Sequence, residues 1–212
     1  AGMRSPEALI GESPVCPSQN AETGARAMSL AEVQQLRDDF VAALEDCQAD
    51  EAIRVLIITG KGKAFSAGFD LKELAAPESG TAAETADNII ARAMESFEGP
   101  IIGAINGHAI TGGFELALAC DVIIASEQAR FADTHARVGI LAGWGLSQRL
   151  PRLIGLSRAK ELSLTGRPLF AQEAYEWGLV NRVVTADELL PCAIAMAEEM
   201  CACVPHIMRE YK

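Results

Sequence analysis

The chain has 212 residues, half of them apolar, and a net charge of -11, a length that buries one substantial core and predicts one main globular domain. The acidic balance excludes a broad electrostatic grip on nucleic acid or on an anionic membrane. The longest apolar candidate, Leu116 to Ala125, is broken by Asp121 and falls short of a membrane span, and the first residues lack a basic stretch followed by an apolar signal core, so a cytoplasmic protein is predicted.

Residues 1 to 27 are rich in Ala, Gly, Pro and Ser without sustained alternation and read as loop or mobile segment. Ser29 and Glu32 have capping-box spacing, and Leu30, Val33, Leu36, Phe40, Val41 and Leu44 form one stripe, which predicts an amphipathic helix. Val55 to Thr59 is a β-branched run closed by Gly60, the pattern of a buried strand. A helix is predicted from about Ala82 to Phe97, then a break at Gly99-Pro100 and a strand from Ile101 to Ile105. A glycine-led helix ending near Asp121 follows, then strands Val122 to Ala125 and Arg130 to Asp133. Beyond them the pattern turns helical: Gly145 to Leu153, Ser157 to Thr165 and Ala171 to Trp177 predict short helices, Val180 to Val184 a strand, and Asp187 to Cys203 a longer helix. Helices alternating with buried strands indicate an α/β protein. No internal repeat of fixed period emerges.

The chemistry concentrates at Gly112-Gly113-Phe114-Glu115, where a strand gives way to a helix on small residues. The first N–H groups of a helix have no partner within it, and the macrodipole favours negative charge there. An oxyanion at Gly112 and an ionised Glu115 would draw on the same field. The plainer alternative is tight helix packing with a solvated first-turn acid, and spacing alone leaves both open. Upstream, Ser66-Ala67-Gly68-Phe69-Asp70 forms a second small-residue turn. There is no P-loop, no GxGxxG and no GxSxG elbow. The six cysteines show no CxxC spacing and the three histidines are dispersed, which predicts reduced thiols and no metal site.

Taken in order, Lys63 to Lys72, Asn106 to Asp121 and Arg137 to Ile154 resemble the crotonase, or enoyl-CoA hydratase/isomerase, superfamily, over about Ala25 to Lys212. The resemblance implies a spiral of repeated β-β-α units with a helical C-terminal region. It divides the chain into a poorly matching segment 1–27, a core 28–186 and the start of a C-terminal helical region 187–212, which looks truncated. By resemblance, the backbone N–H groups of Phe69 and Gly112 form the oxyanion hole, and Glu115 matches the family's first catalytic glutamate. Ala67 would offer its backbone to the adenine of coenzyme A, Asp70, Leu71 and Lys72 would line the coenzyme site, and Ala25 and Arg26 resemble a further coenzyme contact. Trp144 stands where the family has a wall of the acyl pocket, with core packing as its alternative.

One departure affects the chemistry directly. In Phe131-Ala132-Asp133-Thr134-His135, hydratases of the family usually carry a second glutamate at the position of His135. Imidazole can exchange a proton near neutral pH, so His135 either replaces that acid or only fills the pocket. Asp133 is a candidate replacement acid or a hydrogen-bonding side chain, and His108 a supporting or packed residue. The implied activity is addition of water to a 2-enoyl-CoA thioester. Double-bond isomerisation and non-catalytic acyl-CoA binding are the alternatives. The expected partner is an acyl-CoA, with no cofactor beyond the coenzyme A of the substrate, in a homotrimer or dimer of trimers.

Overall fold

In a computed structural model, residues 10–13, 30–67 and 89–212 are described. They open with β1 (Ile10–Ser13) and α1 (Leu30–Ala49). Three turns of a β-β-α unit follow. The first is β2 (Leu56–Gly60), β3 (Ala64–Ser66) and α2 (Ile89–Ser96), and the second is β4 (Ile101–Ile105), β5 (His108–Ile110) and α3 (Gly112–Leu118). The third is β6 (Val122–Ser126), β7 (Arg130–Ala132) and the short α4 (His135–Val138). Then come α5 (Leu146–Ile154), α6 (Leu156–Thr165), β8 (Leu169–Phe170), α7 (Ala171–Glu176), β9 (Arg182–Val184), α8 (Leu189–Cys201) and α9 (Pro205–Tyr211).

Each unit gives its first strand to one sheet and its second to another, which is the predicted spiral. The first sheet, in the order β1-β2-β4-β6-β9, is parallel throughout. The second, β3-β5-β7-β8, is parallel except for the antiparallel β7–β8 pair.

Alternate residues of the first sheet enter two different cores. Leu56, Ile58, Ile101, Ile105 and Ile123 meet Phe65, Phe114 and Phe131 on one side. Ile57, Ile102, Ala104 and Ile124 meet Leu189, Ala193 and Ala197 of α8 on the other. A sheet covered on both faces needs near-continuous apolar runs, and these strands read that way in the sequence.

Several elements differ from the sequence expectation. Residues 1 to 27, read as loop, contain β1, which pairs in parallel with β2 from Ile10 opposite Ile57 to Ser13 opposite Gly60. Strands β3, β5 and β8 and helix α4 span only two to four residues, too few to display a period; the strands form because their neighbours supply the ladder. The strand expected over Val180 to Val184 covers only Arg182–Val184. The predicted helix from Ala82 is described from Ile89 onward, and Ser29 of the capping box lies outside the described residues.

Two contacts bring the chemistry-bearing segments together. Asn106 Oδ1 accepts from the Gly60 N–H at 3.0 Å, while its Nδ2 donates to the carbonyls of Gly62 and Ala64 at 3.0 and 3.2 Å, tying the turn after β4 to the turn after β2. At Gly113 the helix start lies directly against β3, since a Cβ there would fall 2.1 Å from the Ser66 carbonyl oxygen. Gly113→Ala is therefore expected to force β3 away from α3 and to cost about 1–3 kcal/mol. A urea-unfolding midpoint equal to that of the parent protein would contradict this close approach.

Candidate active site

The site is built where β5 and β7 hand over to helices. At the end of β5, Thr111 takes φ 53 and ψ -112, turning the chain into α3. The N–H groups of Phe114 and Glu115 both donate to the Thr111 carbonyl at 3.0 Å. Helix geometry leaves the N–H groups of Gly112 and Gly113 without an intrahelical partner. Ala67, half-buried, follows directly on the Ser66 that packs against Gly113.

Glu115 projects from the first turn of α3 and is only 3% exposed. Its Oε1 accepts from the Trp144 N–H at 2.7 Å and the Leu146 N–H at 3.3 Å. These two donors converge because Gly145 between them adopts φ 100, a conformation that favours glycine. Leu146 also opens α5, so the carboxylate sits at the positive end of that helix and uses an N–H the helix does not. Arg149 braces the same loop, donating to the Trp144 carbonyl at 2.7 Å and to Glu95 at 2.6 Å.

The other Glu115 oxygen, Oε2, lies 3.3 Å from His135 Nε2. His135 begins α4 and is 6% exposed. Its Nδ1 is 2.6 Å from Asp133 Oδ1, which also accepts the His135 backbone N–H at 3.1 Å. Burial by itself would lower the imidazole pKa, but hydrogen bonds and charge from Asp133 and Glu115 together outweigh it and push the value up to about 9. Burial likewise works to raise the Asp133 pKa, and hydrogen bonds from His135 and Ser163 bring it below the ordinary carboxylate value. His135 thus bridges two acidic side chains, Asp133 at Nδ1 and Glu115 at Nε2, and its raised pKa favours the imidazolium form at neutral pH.

Two predicted residues thus come into direct contact, Glu115 and His135. Trp144 is buried beside them, and its backbone N–H is what touches Glu115. Asp133 is the partner that orients His135, and the Asp-x-His spacing at a helix start was the available signal. Ser163 was not foreseen, because α6 reaches Asp133 only through tertiary packing. His108 lines a separate cavity with Lys63, Arg130 and Phe170. Arg26, Phe69, Asp70, Leu71 and Lys72, together with Ala25, lie outside the described residues. Among the described residues no group of three or more His, Cys, Asp or Glu side chains is placed to hold a metal, and no single helix is long and apolar enough to cross a membrane.

Comparison with known proteins bears on this arrangement. Residues 29–212 match the family model described as enoyl-CoA hydratase/isomerase. Among curated relatives, "Probable enoyl-CoA hydratase 1, peroxisomal" of Arabidopsis thaliana is 48% identical over 160 residues, covering 76% of this chain and 60% of that protein. The 2,3-dehydroadipyl-CoA hydratase of Escherichia coli (strain K12) is 38% identical over 182 residues, covering 85% of this chain and 69% of its own length. The crystal structure of enoyl-CoA hydratase from Mycobacterium tuberculosis H37Rv superposes with a TM-score of 0.74 at 48% identity, covering 84% of this chain and 72% of that one. That from Bacillus anthracis gives 0.78 at 43% identity, covering 91% and 74%. The chain spans 60% to 63% of the length of the first curated relatives it matches. With the β-β-α spiral, the glycine-led helix and a buried Glu115 in its first turn, the match over residues 29–212 has one reading: the chain belongs to the enoyl-CoA hydratase/isomerase family.

Proposed function

We propose that this protein hydrates 2-enoyl-CoA thioesters, with Glu115 as the base that activates water and His135 as the acid that protonates C2. The observation that carries the proposal is the 3.3 Å contact between Glu115 and an imidazole held protonated by Asp133. Glu115 takes a proton from water as its oxygen bonds to C3, and the electron pair of the double bond moves toward the thioester oxygen. His135 then delivers its Nε2 proton to C2. The cycle closes through the same contact: Glu115, now carrying the water proton, returns it to the neutral Nε2. A glutamate side chain as base and an imidazole whose raised pKa keeps its proton as acid fit these opposite roles.

The enolate oxygen would rest on the N–H groups of Gly112 and Phe69, each such donor being worth roughly 2.7–4 kcal/mol in the transition state. Arg26, Ala67, Asp70, Leu71 and Lys72 would hold coenzyme A, and the Trp144 loop would wall the acyl group. The chemistry requires no cofactor besides the coenzyme A already on the substrate. A homotrimer or dimer of trimers and a cytoplasmic setting remain expectations from the sequence; the names of two relatives carry "peroxisomal" and "mitochondrial".

Supplying a short 2-enoyl-CoA and its 3-enoyl isomer separately tests the reading. The first is expected to yield a 3-hydroxyacyl-CoA and the second no product at comparable rate. Conversion of the 3-enoyl thioester to the 2-enoyl form without hydroxyacyl product would make the protein an isomerase. Calorimetric binding of acyl-CoA with neither turnover would make it a carrier.

A further inference from the structure

The arms carrying Glu115 and His135 each begin at a threonine in the N-cap position. Thr111 precedes α3 and Thr134 precedes α4, and neither side chain makes the capping bond to its own helix for which threonine is favoured there. Instead the two hydroxyls, Thr111 Oγ1 and Thr134 Oγ1, are hydrogen-bonded to each other. The Thr111 N–H reinforces the junction by donating to the Ala132 carbonyl at 2.8 Å.

The backbone at Thr111 makes this pairing more telling. Thr111 is the only non-glycine residue with positive φ among those described. A β-branched residue in that conformation is a genuine outlier, and glycine would adopt it without strain. Strain of this kind persists where the surroundings over-determine it and concentrates at functional sites. What threonine brings here, and glycine cannot, is the hydroxyl that reaches Thr134. Four residues along the chain from Thr111 is Glu115; the residue after Thr134 is His135.

We propose that the Thr111–Thr134 hydroxyl pair is a positioning clamp that sets the reach between Glu115 and His135. This rests on the reading of those two side chains as the proton-transfer pair. The clamp acts through the two helix starts and touches no substrate atom. His135 is faced by Glu115 from α3, while Asp133, on its own segment, is backed by Ser163 of α6. Without the clamp, Glu115 is the contact that loosens and Asp133 the one that stays.

Three substitutions in the full chain test it: Thr134→Val, Thr134→Ser and Thr111→Gly. With a short 2-enoyl-CoA, Thr134→Val and Thr111→Gly are expected to lower kcat by about 10- to 100-fold with KM within about twofold, since small misplacements of catalytic groups carry penalties of that order. Thr134→Ser, which keeps the hydroxyl, should restore kcat to within about threefold of the parent. Thr111→Gly separates positioning from stability, because it relieves the backbone while removing the hydroxyl: Tm is expected to hold or rise as kcat falls. Parent-like kcat in both hydroxyl-deleted variants would overturn the clamp while leaving hydration intact, as would loss in Thr134→Val that serine does not restore. An inactive parent would instead defeat the functional reading. The clamp would then still be decided by the NMR titration of the His135 ring, whose pKa should fall in Thr134→Val as the Glu115 contact loosens; an unchanged titration would overturn it.

Discussion

Glu115→Gln is expected to lower kcat for hydration of a short 2-enoyl-CoA by about 10²- to 10⁴-fold, the range associated with loss of a positioned acid or base. The exchange is close to isosteric. The glutamine Oε1 can still accept from the N–H groups of Trp144 and Leu146, so the loop that Arg149 braces should stay in place. What disappears is the carboxyl group proposed to take a proton from water, which faces His135 Nε2 across 3.3 Å. KM should change little, because the proposed coenzyme contacts lie on other segments. Steady-state kinetics with a thermal-unfolding control checks this, and full retained activity would remove Glu115 from the reaction.

The second large effect concerns Asp133 and has a sign that can be worked out beforehand. Asp133→Asn keeps an oxygen able to accept the Nδ1 proton but removes a buried charge that favours imidazolium. The pKa of His135, held at about 9, should drop, and the alkaline limb of kcat for hydration should move toward acid. His135→Gln should abolish that limb and lower kcat by about 10²- to 10⁴-fold. An alkaline limb that stays in place in Asp133→Asn would show that His135 is not the titrating acid.

The same shift bears on folding. An imidazole with a pKa near 6.5 in the unfolded chain and about 9 when folded stabilises the native state in full below about pH 6.5, and this contribution is lost as pH rises through 9. Urea midpoints of the parent should therefore decline between pH 7 and 10, and those of His135→Gln should decline less. Equal slopes for the two proteins would contradict the assignment.

The buried strands β2, β4 and β6 were legible in the sequence because a sheet covered on both faces requires near-continuous apolar runs, which Val55 to Ile58 and Ile101 to Ile105 supply. The start of α3 was legible because two glycines followed by an acid mark a helix N-terminus. The second sheet was largely hidden: its strands are two to three residues long and owe their existence to neighbours brought alongside by the spiral. At the site, family resemblance pointed to Glu115 and to the unusual position of His135, but not to the charge His135 carries. That charge depends on Asp133 Oδ1 being 2.6 Å from one ring nitrogen while Glu115 faces the other, a tertiary arrangement that local spacing only hints at. The Thr111–Thr134 pair was invisible for the same reason, since the two residues are joined only when β5 and β7 lie side by side from His108 opposite Arg130 to Ile110 opposite Ala132.

The most direct test follows the atoms of the reaction. Incubating the protein with a short 2-enoyl-CoA in water enriched in both oxygen-18 and deuterium should give a 3-hydroxyacyl-CoA with oxygen-18 at C3 and one deuterium at C2, and Glu115→Gln should form it at a small fraction of the rate. Product that carries deuterium but no solvent oxygen, or no product at all from a protein that binds the thioester, would contradict the account.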